Sequence, residues 1–241
     1  MLVSLKHRAK ESELMDDFSK GGSELEQALR ELRIINRVFA AARPTLRGVR
    51  GLWMELGQPT RLTILDIGAG SGDINRLLLQ WASKQQIAME IILVDLSTEA
   101  CAEARAYYAG EPRVSVRVGD LFELPDSCAD IVTASQFLHH FPTAHLGPII
   151  QKMLRAARMG VVINDIHRHF VAWFTIWTVT RLFSRNQYIR HDAPLSIAKG
   201  FRGAELASLQ SITGLENLRY YWQPLFRYLA VVRKEPEDEK Q

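Results

Sequence analysis

The chain has 241 residues, 47% of them hydrophobic and 24% charged, with a net charge of +3. That suits one globular domain with a sizeable core, and the basic residues are too scattered to make an electrostatic case for nucleic acid. Two cysteines, Cys101 and Cys128, without a CxxC pair argue against a disulfide framework and a structural zinc site.

The opening MLVSLKHRAKESEL lacks an apolar core of signal-peptide length. No run reaches the ~20 apolar residues of a membrane span, and FVAWFTIWTV, 170–179, is the nearest. A cytoplasmic, reduced protein is the expectation. Residues 1–22 are polar and end in Gly21-Gly22. Ser23 with Glu26 reads as a capping box, and Leu25, Leu29, Leu32, Ile35, Val38 and Phe39 recur at helical spacing to Ala42, where Pro44 stops the helix. Residues 45–60 read as a shorter helix, which makes 1–60 an N-terminal helical segment.

A regular alternation follows. Strands are expected at Leu62–Ile67, Glu90–Val94, Val114–Val118, Asp130–Ala134 and Val161–Asn164. Helices are expected at Ile74–Lys84, Thr98–Tyr108 and Ala144–Ala157. Such alternation implies a parallel sheet with helices on both faces. Residues 168–200 are longer than a plain crossover. Their first half, FVAWFTIWTVTRLF, is apolar nearly all round; the second, SRNQYIRHDAPLS, is polar. They read as a core helix plus a surface loop, or as a helical lid (166–200) forming an apolar wall, which is favoured. A dimer contact and a membrane-surface helix are further options, the latter weaker because the helix's own polar face is poor in lysine and arginine. After a helix near Gly203–Ser211, strands Leu218–Trp222 and Phe226–Arg233 are joined so closely that they must be antiparallel. Residues 201–234 thus hold a helix and a strand pair, and 235–241 read as a disordered tail within a single domain, 1–241.

The chemistry starts at ILDIGAGSGD, Ile64–Asp73. No lysine follows the glycines, which removes a P-loop. Gly68 and Gly70 fit the dinucleotide fingerprint, but Asp73 stands at its third glycine, and a carboxylate there would repel a pyrophosphate. The loop therefore suits a ligand without phosphate. Asp95 ends the second strand, where a carboxylate can accept hydrogen bonds from a ribose diol. Asp120 can face an adenine edge with Leu121 and Phe122 on the ring, and Asp66 can pair with a cationic group. Ribose, adenine and a cationic amino-acid end together describe S-adenosylmethionine.

The ordered set ILDIGAGSGD, ILVDLS, VGDLFELP and ADIVTASQFLHHF resembles the class I S-adenosylmethionine-dependent methyltransferases across residues 62–164, and LHHF is most similar to the small-molecule branch that includes ubiquinone and menaquinone methyltransferases. The resemblance implies an α/β, Rossmann-like, seven-stranded, mostly parallel sheet with an antiparallel last strand. It implies that Asp66, Gly68, Gly70 and Asp73 line the methionine end of the cofactor with Ala69 beside them, Asp95 with Leu96 the ribose, and Asp120 and Leu121 the adenine. Ser135 and Gln136 would close the pocket. The cofactor-binding core is 61–165, the product S-adenosylhomocysteine, and no metal is expected.

A phenolic acceptor needs a base, and histidine is the usual one. His139, His140, His167 and His191 are the candidates. His167 and His169, with Asp165, alternate along an extended segment and so point the same way. RHDAPLS and GFRGAEL resemble bacterial methyltransferases of aromatic polyketide and quinone-type pathways. O-methylation of a hydrophobic phenolic small molecule in secondary metabolism is the expectation. C-methylation of a quinol-type ring and an inactive cofactor-binding scaffold are the alternatives. The partner is an aromatic acceptor, with no nucleic acid and no stable membrane insertion, and the protein is a monomer or homodimer.

Overall fold

Strand β1 (Arg61–Ile67) buries both of its faces: Leu62 and Ile64 join one apolar cluster, Leu65 and Ile67 the other. β4 (Ala129–Ser135) divides in the same way, with Ile131 on one side and Val132 and Ala134 on the other, as does β5 (Ala157–Ile166), with Val162 opposite Val161 and Ile163. Strands of this kind need helices on both sides. With β2 (Ala88–Asp95), β3 (Val114–Val118), β6 (Leu218–Gln223) and β7 (Arg227–Arg233) they form one seven-stranded sheet in the order β3-β2-β1-β4-β5-β7-β6. All run in one direction except β7, which is antiparallel to both its neighbours. The chain order around β1 and β4 makes a switch point, and the loops after β1, β2, β4 and β5 meet at one edge.

The computed structural model describes residues 4–17, 21–213 and 217–234, so the expected tail lies outside the described residues. Helices α1 (Ser23–Val38), α2 (Ala42–Glu55), α3 (Arg76–Gln85), α4 (Thr98–Tyr107), α5 (Thr143–Ala156), α6 (Phe170–Phe183), α7 (Gln187–Lys199) and α8 (Gly203–Thr213) surround the sheet. None is long and apolar enough to cross a membrane.

The expected boundaries shift in four places. The Ser23–Glu26 box does not form; Gly22 precedes the helix, and its carbonyl accepts from the Leu25 and Glu26 amides. α1 ends at Val38, before Ala42, because Pro44 cannot follow it without meeting the carbonyl of Ala40; Ala40 turns left-handed, and Pro44 sits in the first turn of α2. β5 begins at Ala157, directly after α5, and not at Val161. The polar half of the insert is helix α7 and not a surface loop. Pro194 lies inside it, and the Arg190 carbonyl that its missing N–H leaves free accepts from Arg181 Nη1 at 3.1 Å.

Close approach of α2 to the sheet depends on one glycine. A Cβ on Gly48 would lie 2.5 Å from Val162 Cγ1 and 2.9 Å from Leu229 Cδ1, whereas one on Gly51 would meet nothing within 4 Å. Gly48→Ala is expected to destabilise the fold by about 1–3 kcal/mol through overpacking. Gly51→Ala should stabilise it by about 0.5–1 kcal/mol through helix propensity. Urea unfolding of the pair checks this, and equal effects would mean that α2 does not pack so closely.

Candidate active site

The loop after β1 is built from three left-handed glycines, Gly68 (φ 60°), Gly70 (φ 56°) and Gly72 (φ 73°). A Cβ on Gly68 would fall 2.2 Å from the Phe137 ring, and one on Gly72 would fall 2.4 Å from Leu93 Cδ1. Gly70 faces open space, so it is the point where a ligand can approach the backbone. Its amide donates to Asp95 Oδ2 at 2.8 Å, and the Ser97 amide donates to Asp95 Oδ1 at 2.9 Å. A carboxylate has about four lone-pair sites, so Asp95 keeps capacity for a diol. Burial raises the Asp95 carboxyl above its ordinary value.

Asp66 is 2% exposed, and both its oxygens are taken, by Asn75 Nδ2 and Thr133 Oγ1 at 2.6 Å each. Burial pushes it up to about 6 against those two hydrogen bonds. It therefore acts from beneath the loop, by charge and by fixing β4 and the start of α3. Asp73 accepts from Ser71 Oγ at 3.3 Å and from Asn36 Nδ2 at 3.5 Å, and burial raises it too. Gln136 Nε2 donates to Asn36 Oδ1 at 2.9 Å, so α1 ties the β1 loop to the β4 loop. Ser135 Oγ lies 2.8 Å from Thr45 Oγ1, which also accepts from the buried Asn164. Asp120 caps the turn Leu121–Glu123 by accepting from the Phe122 amide. Leu121 belongs to the core, while Leu96 and Phe122 are exposed beside the loops.

The four histidines separate sharply. His139 is 2% exposed; its Nδ1 is 2.7 Å from Asp165 Oδ1 and its Nε2 is 3.5 Å from Glu13 Oε1. Burial alone would lower it, but Asp165 and then Glu13 reverse this and raise it to about 9. With Nδ1 on Asp165 and Nε2 turned toward Glu13 in the interior, neither ring nitrogen of His139 is open to solvent, whereas the neighbouring His140 is partly open. His140 is 26% exposed, with Nδ1 2.9 Å from Asp16 Oδ1. It is near enough to Asp95 for its charge to counter part of the effect of burial there.

His167 accepts from Trp222 Nε1 at 3.2 Å and faces His169 with ring centroids 5.5 Å apart, as the alternation predicts. Burial lowers the His167 imidazole. His169 caps α6 by accepting from the Val171 amide. His191 is half exposed on α7, with Nδ1 2.7 Å from Asp192 Oδ1.

Residues 4–17 lie as a strap over this edge, a role that the polar composition of 1–22 did not reveal. Arg8 donates to the carbonyls of His139, Phe141 and Lys199. The amides of Leu14 and Met15 donate to the two oxygens of Asp192 at 2.8 and 2.9 Å. Burial would raise Glu13, but the hydrogen bond from His139 and the charges of His140 and Lys199 hold it well below the usual carboxylate range. Glu13, His139 and His140 turn ligand-type atoms toward one another, and the Lys199 ammonium, 3.2 Å from Glu13 Oε1, supplies the positive charge at that place. Arg168, 1% exposed at the end of β5, pairs with Glu205 at 2.7 Å and donates to Leu5 and Gly200 carbonyls.

Sequence reading missed Glu13, Asp16, Asn36, Asn75 and Thr133. Asn36 carried a signal, since it falls in the apolar stripe of α1 with Leu25, Leu29 and Leu32, where a buried amide needs a partner. Glu13 and Asp16 carried only the local signal of a capping box three residues apart, because the histidines and lysine they meet lie more than a hundred residues away.

Sheet order and the glycine loop give the chain the fold of solved S-adenosylmethionine-dependent methyltransferases. Residues 64–160 match the family model for a methyltransferase domain, so this segment is a methyltransferase domain. The chain is 31% identical over 126 residues to ribosomal RNA small subunit methyltransferase A of Parasynechococcus marenigrum, a match that takes in 52% of this chain and only 35% of that one. A SAM-dependent methyltransferase from Aquifex aeolicus has the same fold, with a TM-score of 0.56 at 16% identity over 86% of this chain and 97% of its own. So does human N-acetylserotonin methyltransferase in complex with SAM, with a TM-score of 0.58 at 14% identity over 94% and 64%.

The buried His139 sets a pH dependence. Its folded value lies above its unfolded one, so its stabilisation is complete below about pH 6.5 and is lost as pH rises through about 9. The melting temperature should fall over that window, corresponding to up to about 3 kcal/mol. His139→Gln should flatten the slope, and a flat wild-type profile would show that His139 is not held as an imidazolium.

Proposed function

We propose that the protein transfers the methyl group of S-adenosylmethionine to the hydroxyl of a hydrophobic phenolic small molecule, with His140 as general base. The observation that carries this reading is the Asp16–His140 pair at 2.9 Å, partly open at the carboxyl end of β4 and close to Asp95. A carboxylate at Nδ1 favours a proton there, which leaves Nε2 free to accept one. The His139 ring lies beside that of His140, with ring centroids 4.3 Å apart, and is the more deeply buried of the two.

S-adenosylmethionine, when bound, supplies an electrophilic methyl on a sulfonium. Gly70 gives the open backbone against which it is held, Asp95 accepts from the ribose, and Asp66 and Asp73 place negative charge beneath the cationic end. Asp120 would face the adenine, and Leu96 would lie beside the ribose. His140 would take the phenol proton at Nε2, leaving a phenolate oxygen as the nucleophile, and the strap over this edge would limit the access of water. His167 and His191, bound to Trp222 and Asp192, line the acceptor side.

C-methylation of a quinol-type ring would use the same cofactor residues, and labelled cofactor with a panel of phenols and quinols separates the two by product. His140→Ala should lower turnover about 10²–10⁴-fold with cofactor affinity retained. Unchanged turnover would transfer the role to His167 or His191. Asp95→Ala should weaken S-adenosylhomocysteine binding by about 1–3 kcal/mol in calorimetry, and no loss would remove Asp95 from the ribose site.

A further inference from the structure

The exposed apolar residues are concentrated on one side of the molecule. Phe170, Val171 and Phe174 are 59%, 49% and 52% exposed on α6, and Trp222 and Leu225, at 55% and 49%, lie on the β6–β7 turn. The two elements are in contact, since His169 stacks on Phe226 with ring centroids 4.9 Å apart and Trp222 reaches His167. α1 borders the surface, since Ile35 and Phe39 pack against the same apolar cluster as Trp173 and Phe226. An aromatic ladder runs along the helix, with Trp173 on Trp177 and Phe174 on Trp177. A water-facing surface of this size needs an occupant.

Charge identifies it. The three segments that build this side, 32–54, 166–191 and 217–234, contain no aspartate or glutamate and hold five, four and four arginines and lysines. Arg43, Arg47 and Arg50 recur at one stripe of α2, all exposed, and Arg47 Nη1 reaches Gln223 Oε1 at 3.2 Å, next to Trp222. Among the described residues no carboxylate pairs with Arg37, Arg43, Arg47 or Arg50. Arg181 lies over the Trp177 ring at 5.4 Å. Glu24 and Glu31 are turned to the α6–α7 junction, where they meet Asn186, Gln187 and Ser184, while Asp73 shares a groove with Arg37 and Arg43 and Glu55 ends α2. Exposed tryptophan and phenylalanine within a rim of unpaired arginines is complementary to the headgroup layer of an anionic bilayer, where aromatic rings enter the interface and guanidiniums face phosphate.

We infer that the face made by α6, the β6–β7 turn and the arginine stripe of α2 docks the protein reversibly on an anionic lipid surface. The helix alone lacks the basic residues for this; the fold supplies them from a segment more than a hundred residues away. Docking in this orientation turns the acceptor side of the site, with His167 and His169, toward the phase in which an apolar acceptor dissolves. The surface itself is independent of which acceptor is used.

Vesicle co-sedimentation of the full chain tests this without any activity assay. Binding to mixed phosphatidylcholine and phosphatidylglycerol vesicles should exceed binding to phosphatidylcholine alone by about tenfold or more and should weaken with added salt. Arg43→Glu with Arg47→Glu should lower it by about tenfold or more, and Phe174→Ser with Trp222→Ser should abolish it. Unchanged S-adenosylhomocysteine affinity and melting temperature establish that the variants are folded. Should a variant unfold, the single substitutions Arg43→Gln and Phe174→Ser are read in the same assay. Absent or composition-independent binding overturns the inference. So does a dimer by light scattering that Phe174→Ser dissolves while vesicles bind nothing, because the face is then a contact between two copies.

Discussion

A carboxylate with almost no solvent stands at the end of β5, and much of the binding edge is arranged to satisfy it. Asp165 is 2% exposed and accepts from the amide of Ile166 and from both the amide and the ring of His139. Burial would raise its carboxyl, and the paired His139 holds it low. An unpaired charge in that position would cost several kcal/mol. His139 is therefore fixed in place as a cation, its second nitrogen faces Glu13, and Glu13 brings in Lys199 from α7. Four distant parts of the chain, the strap, the β4 loop, the end of β5 and α7, are held in one buried charge cluster.

That cluster also divides the work between two adjacent histidines. His139 looks inward and keeps its proton. His140 looks outward, and Asp16, on the same strap as Glu13, orients it. Asp16 at Nδ1 fixes the ring, which is 26% exposed beside the buried His139. The loop after β1 answers a different demand. It needs left-handed backbone at three places and open space at one, Gly70, while Asp66 and Asp95 hold its two ends without closing it.

A net charge of +3 conceals how unevenly charge is placed. Acids gather at the cofactor edge and in pairs along α1, α4 and the strap, whereas on the side formed by α2, α6 and the last hairpin the arginines and aromatic rings outnumber the acids, of which α2 carries Glu55 at its end. The turn of that hairpin carries Leu225 and Phe226 in left-handed backbone, a strained arrangement for such residues, and it sets Phe226 on His169 and Trp222 beside His167.

The sheet, its direction and its central loop were legible in the residues themselves. Short continuous apolar runs, glycines at alternate positions and carboxylates at strand ends are local signals, because backbone conformation and burial of a strand are set by contiguous residues. The cofactor class followed from them. Helix ends were less legible at Pro44 and Pro194, where the chain answered a proline by breaking early in one case and by borrowing the Arg181 donor in the other. What tertiary structure alone decided is which histidine stays protonated, which one is open, and where the unpaired arginines collect. Those outcomes depend on residue 13 meeting 139 and 199, residue 16 meeting 140, and residue 47 meeting 223, and pairings at such separations leave no periodicity in the sequence. They arise only when the sheet brings the ends of its strands together and excludes water from the charges between them.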